Sequence, residues 1–407
     1  MGSASAWIAG SYQSDFARNY AREGLEISDM VAEAVTGTLD SAGLEPEDVD
    51  AIHVGNAFGQ LFTGQGQLGA MPATVEPRLW GKPAARHEAA CASGSVAVLA
   101  ATAEIEAGRY DCVLVIAVEQ ERNVPGADAP KHLGAAAWIG HEGQGATFMW
   151  PYMFSRLADE YDRRYGLNDQ HLHAIAELNL RNARDNPLAQ TRNWTFGPGG
   201  FTDDDTGNPV VEGRLRRTDC AQVTDGVAGV LLVSGRLRQD RLSKKHMPRI
   251  AGWGHGTAGL ALQPKLDRSH GEPYVFPHVR RTVTDAFRRA GIPGVSALDG
   301  IETHDCFSMS EYMAIDHFGI TGPGESWKAV ENGELERDGA IPVNPSGGLI
   351  GIGHPVGATG VRMLHDAARQ VTGQAGECQI NNASTFATLN IGGSLTTTVS
   401  FVVTREE

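Results

Sequence analysis

The sequence predicts a mixed α/β fold built from two related halves that flank a central excursion. Three observations lead there. Apolar runs of β-branched character alternate with amphipathic helical patterns along the 407 residues. The order of elements in 34–58 returns in 281–307. Between the copies, 122–223 is rich in helices and loops and poor in strand-like runs. The length exceeds one ordinary domain, and 41% apolar residues suffice for sizeable cores.

Each element has its own warrant. ISDMVAEAVTGTLDSA (27–42) carries apolar residues at helical spacing and stops at Gly43. AIHVGNAF (51–58) reads as a strand running into a loop. HEAACASGSVAVLAATAEIEAG (87–108) turns from an extended approach into a long helix of small residues. DCVLVIAVE (111–119) and VAGVLLVSG (227–235) are continuous apolar runs, as buried strands require. The excursion holds HEGQGATFMWPYMFSRLADEYDRRYG, the helical HLHAIAELNLRNARDN and the Gly/Pro/Asp-rich TFGPGGFTDDDTGNP. Long loops of this kind usually cover a site. In both copies of the repeat a helix is followed by Ala-Gly-aliphatic, a short loop, a strand beginning at Asp, and a polar loop closed by Phe. The predicted division is 1–121 with 224–248 as one half, 122–223 as the excursion, and 249–407 as the other half. FATLNIGGSLTTTVSFVV (386–403) reads as a hairpin about Gly392-Gly393.

Composition excludes several classes. The formal net charge is −15, from 34 basic and 49 acidic side chains. Such a chain repels nucleic acid and anionic membrane surfaces. No run of about 18 apolar residues exists, so no membrane span is expected. The N-terminal MGSASAWIAGSYQSDFARNY lacks the basic start and apolar segment of a secretory leader. The final TREE is not a readable targeting tail. Five widely spaced cysteines argue against a disulfide framework and for a reducing, cytoplasmic setting. None has zinc-finger spacing, and no bound metal is expected. An anionic substrate would need a local basic patch. Arg214, Arg216 and Arg217 in GRLRRTDC, with Arg181 and Arg184 in LRNARDN, are the candidates, against the commoner fate of solvated surface charge.

Three loops carry chemistry. Cys91 stands at the amino end of the small-residue helix. Unpaired N–H groups there carry partial positive charge and favour the nucleophilic thiolate. Ser93 and Gly94 leave space for a substrate, and a structural thiol is the alternative. In NPSGGLIGIGHPVGATG, from Asn344, His354 sits between Gly353 and Pro355, ahead of a helix from near Ala358. No Lys-Ser/Thr follows the glycines, so a phosphate-binding P-loop is excluded. THDCF brings His304 and Cys306 into the loop reached by the second repeat; a lone HxC pair is a weak metal signal. Cys112, Cys220 and Cys378 are read as packing residues.

CASG (91–94) ahead of a small-residue helix, together with NPSGG…GHPVGATG, resembles the thiolase family over nearly the whole chain. The resemblance implies two βαβαβαββ halves in a five-layered αβαβα arrangement, with 122–223 as an inserted loop domain. It implies an acyl-cysteine enzyme that cleaves 3-ketoacyl-CoA with CoA, or runs the reverse Claisen condensation of acyl-CoA with acetyl-CoA. CoA is then a substrate, and no cofactor is held permanently. Most members carry a second catalytic cysteine in a CxG loop, which here reads Asn390-Ile391-Gly392. Where NEAF is common this chain has HDCF, as in the sterol-carrier-protein type, whose HDCF cysteine takes the acid/base role.

By this resemblance Cys91 is the nucleophile, and His354 helps to deprotonate it. Cys306 moves the proton at the enolate carbon, while His304 and His354 hold the enolate oxygen. The N–H groups of Cys91 and Gly392 form the oxyanion hole of the acyl step, and Asn390 has no expected chemical role. GWGHGTAG (252–259) is expected beside the pantetheine channel. A homodimer or homotetramer, a role in fatty acid or sterol degradation, and a small partner protein are further expectations. Competing readings are a ketoacyl-synthase-like enzyme, a retro-aldol lyase and a non-catalytic acyl-CoA-binding subunit. Cys306 with His354 argues against the first, the retained Cys91 and Cys306 against the second, and intact Cys91, His304, Cys306 and His354 against the third.

Overall fold

The computed structural model describes residues 5–242 and 246–405. The outermost residues of the N-terminal stretch and of TREE, and 243–245 near the end of the first predicted half, lie outside the described residues. Along the chain run β1 (Trp7–Gln13), α1 (Ile27–Ala42), β2 (Ala51–Gly55), β3 (Ala84–His87), α2 (Ser93–Glu106) and β4 (Cys112–Glu119). The excursion contributes α3 (Met149–Tyr165), α4 (Asp169–Ala183) and a small ribbon at 210–216. Then follow β5 (Gly226–Val233), β6 (Pro248–Thr257), α5 (Pro277–Ala290), β7 (Gly300–Thr303), α6 (Ser308–Phe318), α7 (Gly348–Ile352), α8 (Thr359–Thr372), β8 (Thr385–Gly392) and β9 (Thr397–Arg405).

Among the described residues these strands form one mixed sheet in the order β3-β2-β4-β5-β1-β6-β9-β8-β7. Its two ends repeat each other. β3, β2 and β4 run parallel, and β5 and β1 are antiparallel to their neighbours. At the other end β7 and β8 run parallel, and β9 and β6 are antiparallel. Val343 makes a parallel bridge to Ile301 where β3 stands in the first copy. One backbone pair, Trp7 with Arg249, joins the two ends. The echo read from the sequence is therefore physical. Gly43 (φ 70°) and Gly291 (φ 73°) both close their helices in the left-handed conformation that glycine adopts without a Cβ penalty. A single 3₁₀ turn follows each.

Burial sorts the helices into layers. Met30, Val31 and Val35 of α1 pack on the outer face of the first copy, against Leu114, Ile116 and Leu231. Val279, Val283 and Ala286 of α5 cover the outer face of the second, with Val402 among their core. Between the two lie α2 (Ala97, Val98, Ala101) and α8 (Val361, Leu364, Ala367). These central helices share one core with Val113, Val115 and Val230 on one side and Phe386, Val399 and Phe401 on the other. The result is the αβαβα sandwich. Every residue of β4 and β5 is buried, as their unbroken apolar sequence required.

GWGHGTAG lies mostly in a strand. Residues 252–257 continue β6, and none of 252–259 lines the cavity at Cys91. Its glycines admit a helix. A Cβ at Gly252 would lie 2.2 Å from Ala286 O, and one at Gly254 would lie 1.8 Å from Thr282 O. The backbone of α5 thus rests directly on the strand. Gly254→Ala is expected to destabilise by about 2 kcal/mol or more through overpacking, lowering the apparent Tm by several degrees. Gly259→Ala, where a Cβ meets nothing within 4 Å, is the control and should leave the melting curve in place.

Candidate active site

Cys91 is held by a tight turn between β3 and α2. Ala90 adopts φ 51°, a left-handed conformation costing a non-glycine residue about 1 kcal/mol or more. The turn is fixed by Ala92 N donating to Ala89 O (3.0 Å) and Ser93 N to Ala90 O (3.1 Å). The Ser93 hydroxyl accepts from Ala89 N (2.9 Å) and donates to Ala90 O (2.6 Å). The sulfur therefore stands two residues before the first residue of α2.

The start of α8 meets the start of α2 backbone to backbone. A Cβ at Gly94 would lie 2.8 Å from Gly357 O, and one at Gly360 would lie 2.6 Å from Ser95 N. The buried carboxyl of Glu119, at the end of β4, clamps this junction. Its oxygens accept the N–H groups of Ala57 (2.8 Å), Phe58 (2.9 Å) and Gly357 (3.0 Å). Burial raises its pKa to about 7 against these bonds. His354 lies just ahead of that clamp. Its N–H donates to Thr224 Oγ1 at 2.9 Å.

THDCF is tied to the same loop. Asp305 accepts N–H groups from Leu349 (2.6 Å) and Ile350 (3.1 Å) at the start of α7. Gly348, at φ 59°, makes this possible: a Cβ there would lie 2.3 Å from the Asp305 carboxylate. Asn344 Oδ1 accepts Thr303 N at 2.8 Å. Residues at the end of the excursion strap both loops, Ala221 N donating to Cys306 O at 2.9 Å and Val223 bridging to His354.

These constraints converge. One side-chain atom each of Cys91, His304 and His354 lies within 4.8 Å of the other two. The two imidazole rings are 5.2 Å apart, edge to face. Cys91, Cys306 and His354 line one cavity of about 360 Å³, and His304 is buried behind them. Three donor atoms this close could also meet a soft divalent cation, but only at the cost of the nucleophile.

Hydrogen bonds assign the imidazoles opposite roles. The Thr359 hydroxyl donates to Pro355 O (3.1 Å) and so accepts from His354 Nδ1–H (2.7 Å). That leaves His354 Nε2 as a base. Ser95 donates to Asn390 Oδ1 (2.8 Å), which directs the amide N–H of Asn390 at His304 Nδ1 (3.1 Å). His304 then carries its proton on Nε2, as a donor. Asn390 thus has a part that the sequence reading denied it.

Sequence reading also missed three features. The backbone N–H that reaches the Cys91 sulfur, besides its own, is that of Gly393. At Gly392, the expected donor, a Cβ would lie 2.2 Å from Ala89 O, so only glycine fits there. Cys220, read as packing, lines the cavity, and so does Glu121. A second acidic residue just past the apolar strand that ends at Glu119 was the available signal for Glu121. Of the candidate arginines only Arg217 lines the cavity. Arg214 pairs with Asp162 and Asp169, Arg216 with Asp205, and Arg181 with Glu336, while Arg184 is exposed elsewhere.

The cavity is mostly apolar, with Phe58, Met149, Trp150 and Phe154 in its wall, and burial dominates its electrostatics. It pushes the Cys91 thiol up to about 12, although two backbone N–H groups oppose it. It lowers His354 to about 3 and His304 well below its usual range. Cys306 is raised well above the ordinary thiol range, by burial and then by Cys91. The N–H groups near the helix start favour the thiolate, in the direction the sequence suggested, and desolvation opposes them.

The chain belongs to the thiolase family. Residues 7–193 match the pattern described as "Thiolase, N-terminal domain", and 265–405 that described as "Thiolase C-terminal domain-like". It is similar to the acetyl-CoA acetyltransferase of Methanothermobacter thermautotrophicus, 32% identical over 93% of this chain and 94% of that one. It is also similar to human sterol carrier protein 2, 26% identical over 97% of this chain and 71% of that protein. Among solved structures, the Ltp2-ChsH2(DUF35) aldolase superposes with a TM-score of 0.78 over 98% of this chain and 97% of that one, at 21% identity. Among the described residues no helix is long and apolar enough to cross a membrane.

A raised thiol releases its proton only as pH climbs toward the raised value. Alkylation of Cys91 by iodoacetamide, followed by peptide mass spectrometry, should accelerate about tenfold per pH unit from 7 to 9.5 without levelling. A plateau near pH 7 would mean a resting thiolate.

Proposed function

We propose that this protein transfers acyl groups between CoA thiols through Cys91. It would cleave 3-ketoacyl-CoA with free CoA or run the reverse condensation with acetyl-CoA. The observation that carries the reading is the meeting of a thiol, two oppositely polarised imidazoles and a second thiol at one cavity. Similarity to an acetyl-CoA acetyltransferase supports CoA as the carrier.

The geometry suits the chemistry step by step. His354 Nε2 takes the Cys91 proton as the sulfur attacks the keto carbon. Water is largely excluded, so the thiolate forms only when the electrophile is present to consume it. The C2–C3 bond breaks, leaving the acyl group on Cys91 and the enolate of acetyl-CoA. His304 Nε2–H and the protonated His354 hold the enolate oxygen. Cys306 gives its proton to C2, completing acetyl-CoA. Its thiolate then takes the proton of the incoming CoA, whose sulfur attacks the acyl carbon and frees Cys91. The N–H groups of Cys91 and Gly393 serve the tetrahedral oxyanion, so Gly393 takes the place expected of Gly392. Arg217 is the basic residue at the cavity able to meet an anionic group.

The same reading takes 1–121 with 224–248 and 249–407 as the halves that form the floor, and 122–223 as the loop domain that forms the wall. It extends to assembly as a homo-oligomer. β3 is a sheet edge with Ala84 and Ala85 exposed, which suits pairing with a second copy.

Incubation of the wild type with acetyl-CoA should add one acetyl group at Cys91 by intact mass, and Cys91→Ala should abolish it. Cys306→Ala should keep that acylation but lose deuterium exchange at C2 of acetyl-CoA. Wild-type exchange in Cys306→Ala would remove Cys306 from proton transfer, and carbon–carbon cleavage without Cys91 acylation would favour the retro-aldol reading. Asn390→Ala should lower kcat about tenfold with little change in KM, the value of one lost neutral hydrogen bond.

A further inference from the structure

Lys265 has no part in the steps above, yet it is buried beside the turn that supplies the Gly393 N–H. It stands in a short helix, Leu262–Arg268. The turn joins β8 to β9, and both Gly393 (φ 64°) and Leu395 (φ 58°) are left-handed, which a bulky residue such as leucine seldom adopts. Each of its carbonyls is held. Gly392 O accepts Thr396 N (3.0 Å), Gly393 O accepts Leu395 N (2.9 Å), and Thr396 O accepts Ala258 N (2.7 Å). His278 Nε2 donates to Leu395 O at 2.9 Å. Ser394 O, on the residue next to Gly393, is held by Lys265 Nζ.

The same amine donates to Ser394 Oγ and Thr396 Oγ1, each at 2.9 Å. Both hydroxyls donate to Leu260 O at 3.3 Å, so each turns a lone pair to Lys265. Three close acceptors use all three protons of an ammonium, with Leu260 O a longer fourth contact at 3.2 Å. Burial lowers the amine to about 7, and the charge of Glu142 supports the ammonium against it. A hairpin can be closed without desolvating a charge. Charge-assisted bonds are shorter and stronger than neutral ones, which suits them to fixing a backbone group in place. We infer that Lys265 is a positioning residue: its ammonium fixes the turn at 393–396 so that the Gly393 N–H is aimed at the oxyanion of acyl transfer. The inference rests on the acyl-transfer reading and adds a residue that lies outside the cavity at Cys91. The enolate has other holders, His304 and His354, and Lys265 bonds to neither.

The test therefore compares two rates at pH 6.5 in the wild type and in Lys265→Met. One is acetylation of Cys91 by acetyl-CoA, followed by intact mass. The other is deuterium exchange at C2 of acetyl-CoA, measured once acetylation is complete. Lys265→Met should slow acetylation about tenfold or more, because a misaimed donor loses much of what an absent one would, and leave exchange within about twofold. Lys265→Gln keeps two N–H donors without the charge and should show the same selective loss at smaller size. Should Lys265→Met fail to fold, Lys265→Gln decides. The inference falls if acetylation is undiminished in the deciding variant. It also falls if both rates drop together, as a general loss of packing would cause. A wild type that no acyl-CoA acylates would instead overturn the acyl-transfer reading itself.

Discussion

The site exists because two helix starts approach so closely that only glycine fits at Gly94 and Gly360. Gly94 at the head of α2 faces Gly357 O, and Gly360 in α8 faces Ser95 N. One methyl group at Gly94 or Gly360 would force the helices apart. The Glu119 carboxyl then binds the β2 loop and the α8 loop with its own acceptors. The reactive residues do not touch through any flexible linker of their own. Their separation is set by backbone contact, and backbone contact in a close-packed interior is stiff.

This stiffness matters because the site holds its groups uncharged. Desolvation raises the thiols of Cys91 and Cys306 and lowers the imidazoles of His354 and His304, so each leans toward its uncharged form. In the proposed reaction, charge would appear between groups already in reach of one another. Partial charges placed in advance do that work best, and N–H groups at Cys91 and Gly393 cost no reorganisation. Thr359 and Asn390 complete the arrangement by settling which ring nitrogen bears the proton.

Much of this was legible in the chain. The repeat, the two buried strands, the terminal hairpin and the three loops bearing Cys91, His304/Cys306 and His354 could all be read from residue types and spacing. The illegible parts depend on contacts between segments far apart in sequence. Whether Gly392 or Gly393 presents its N–H depends on the turn at 393–396. The role of Asn390 depends on His304, 86 positions away. In GWGHGTAG the glycines that admit a helix look in sequence like glycines that admit a ligand, and only the packing of α5 on Gly252 and Gly254 tells that they do the former. The desolvation that opposes the helix-start effect at Cys91 depends on the surrounding wall, which no local motif reports.

The glycine junction also divides the molecule by its tolerance for change. Its floor has no spare volume, so almost any enlargement there would disarm the chemistry. The wall contributed by the excursion, with Phe148, Met149, Trp150 and Phe154, touches none of the junction glycines. New molecular shapes can therefore be accommodated by redrawing that wall while the reactive centre stays fixed, which leaves diversification of the fold to its least constrained hundred residues.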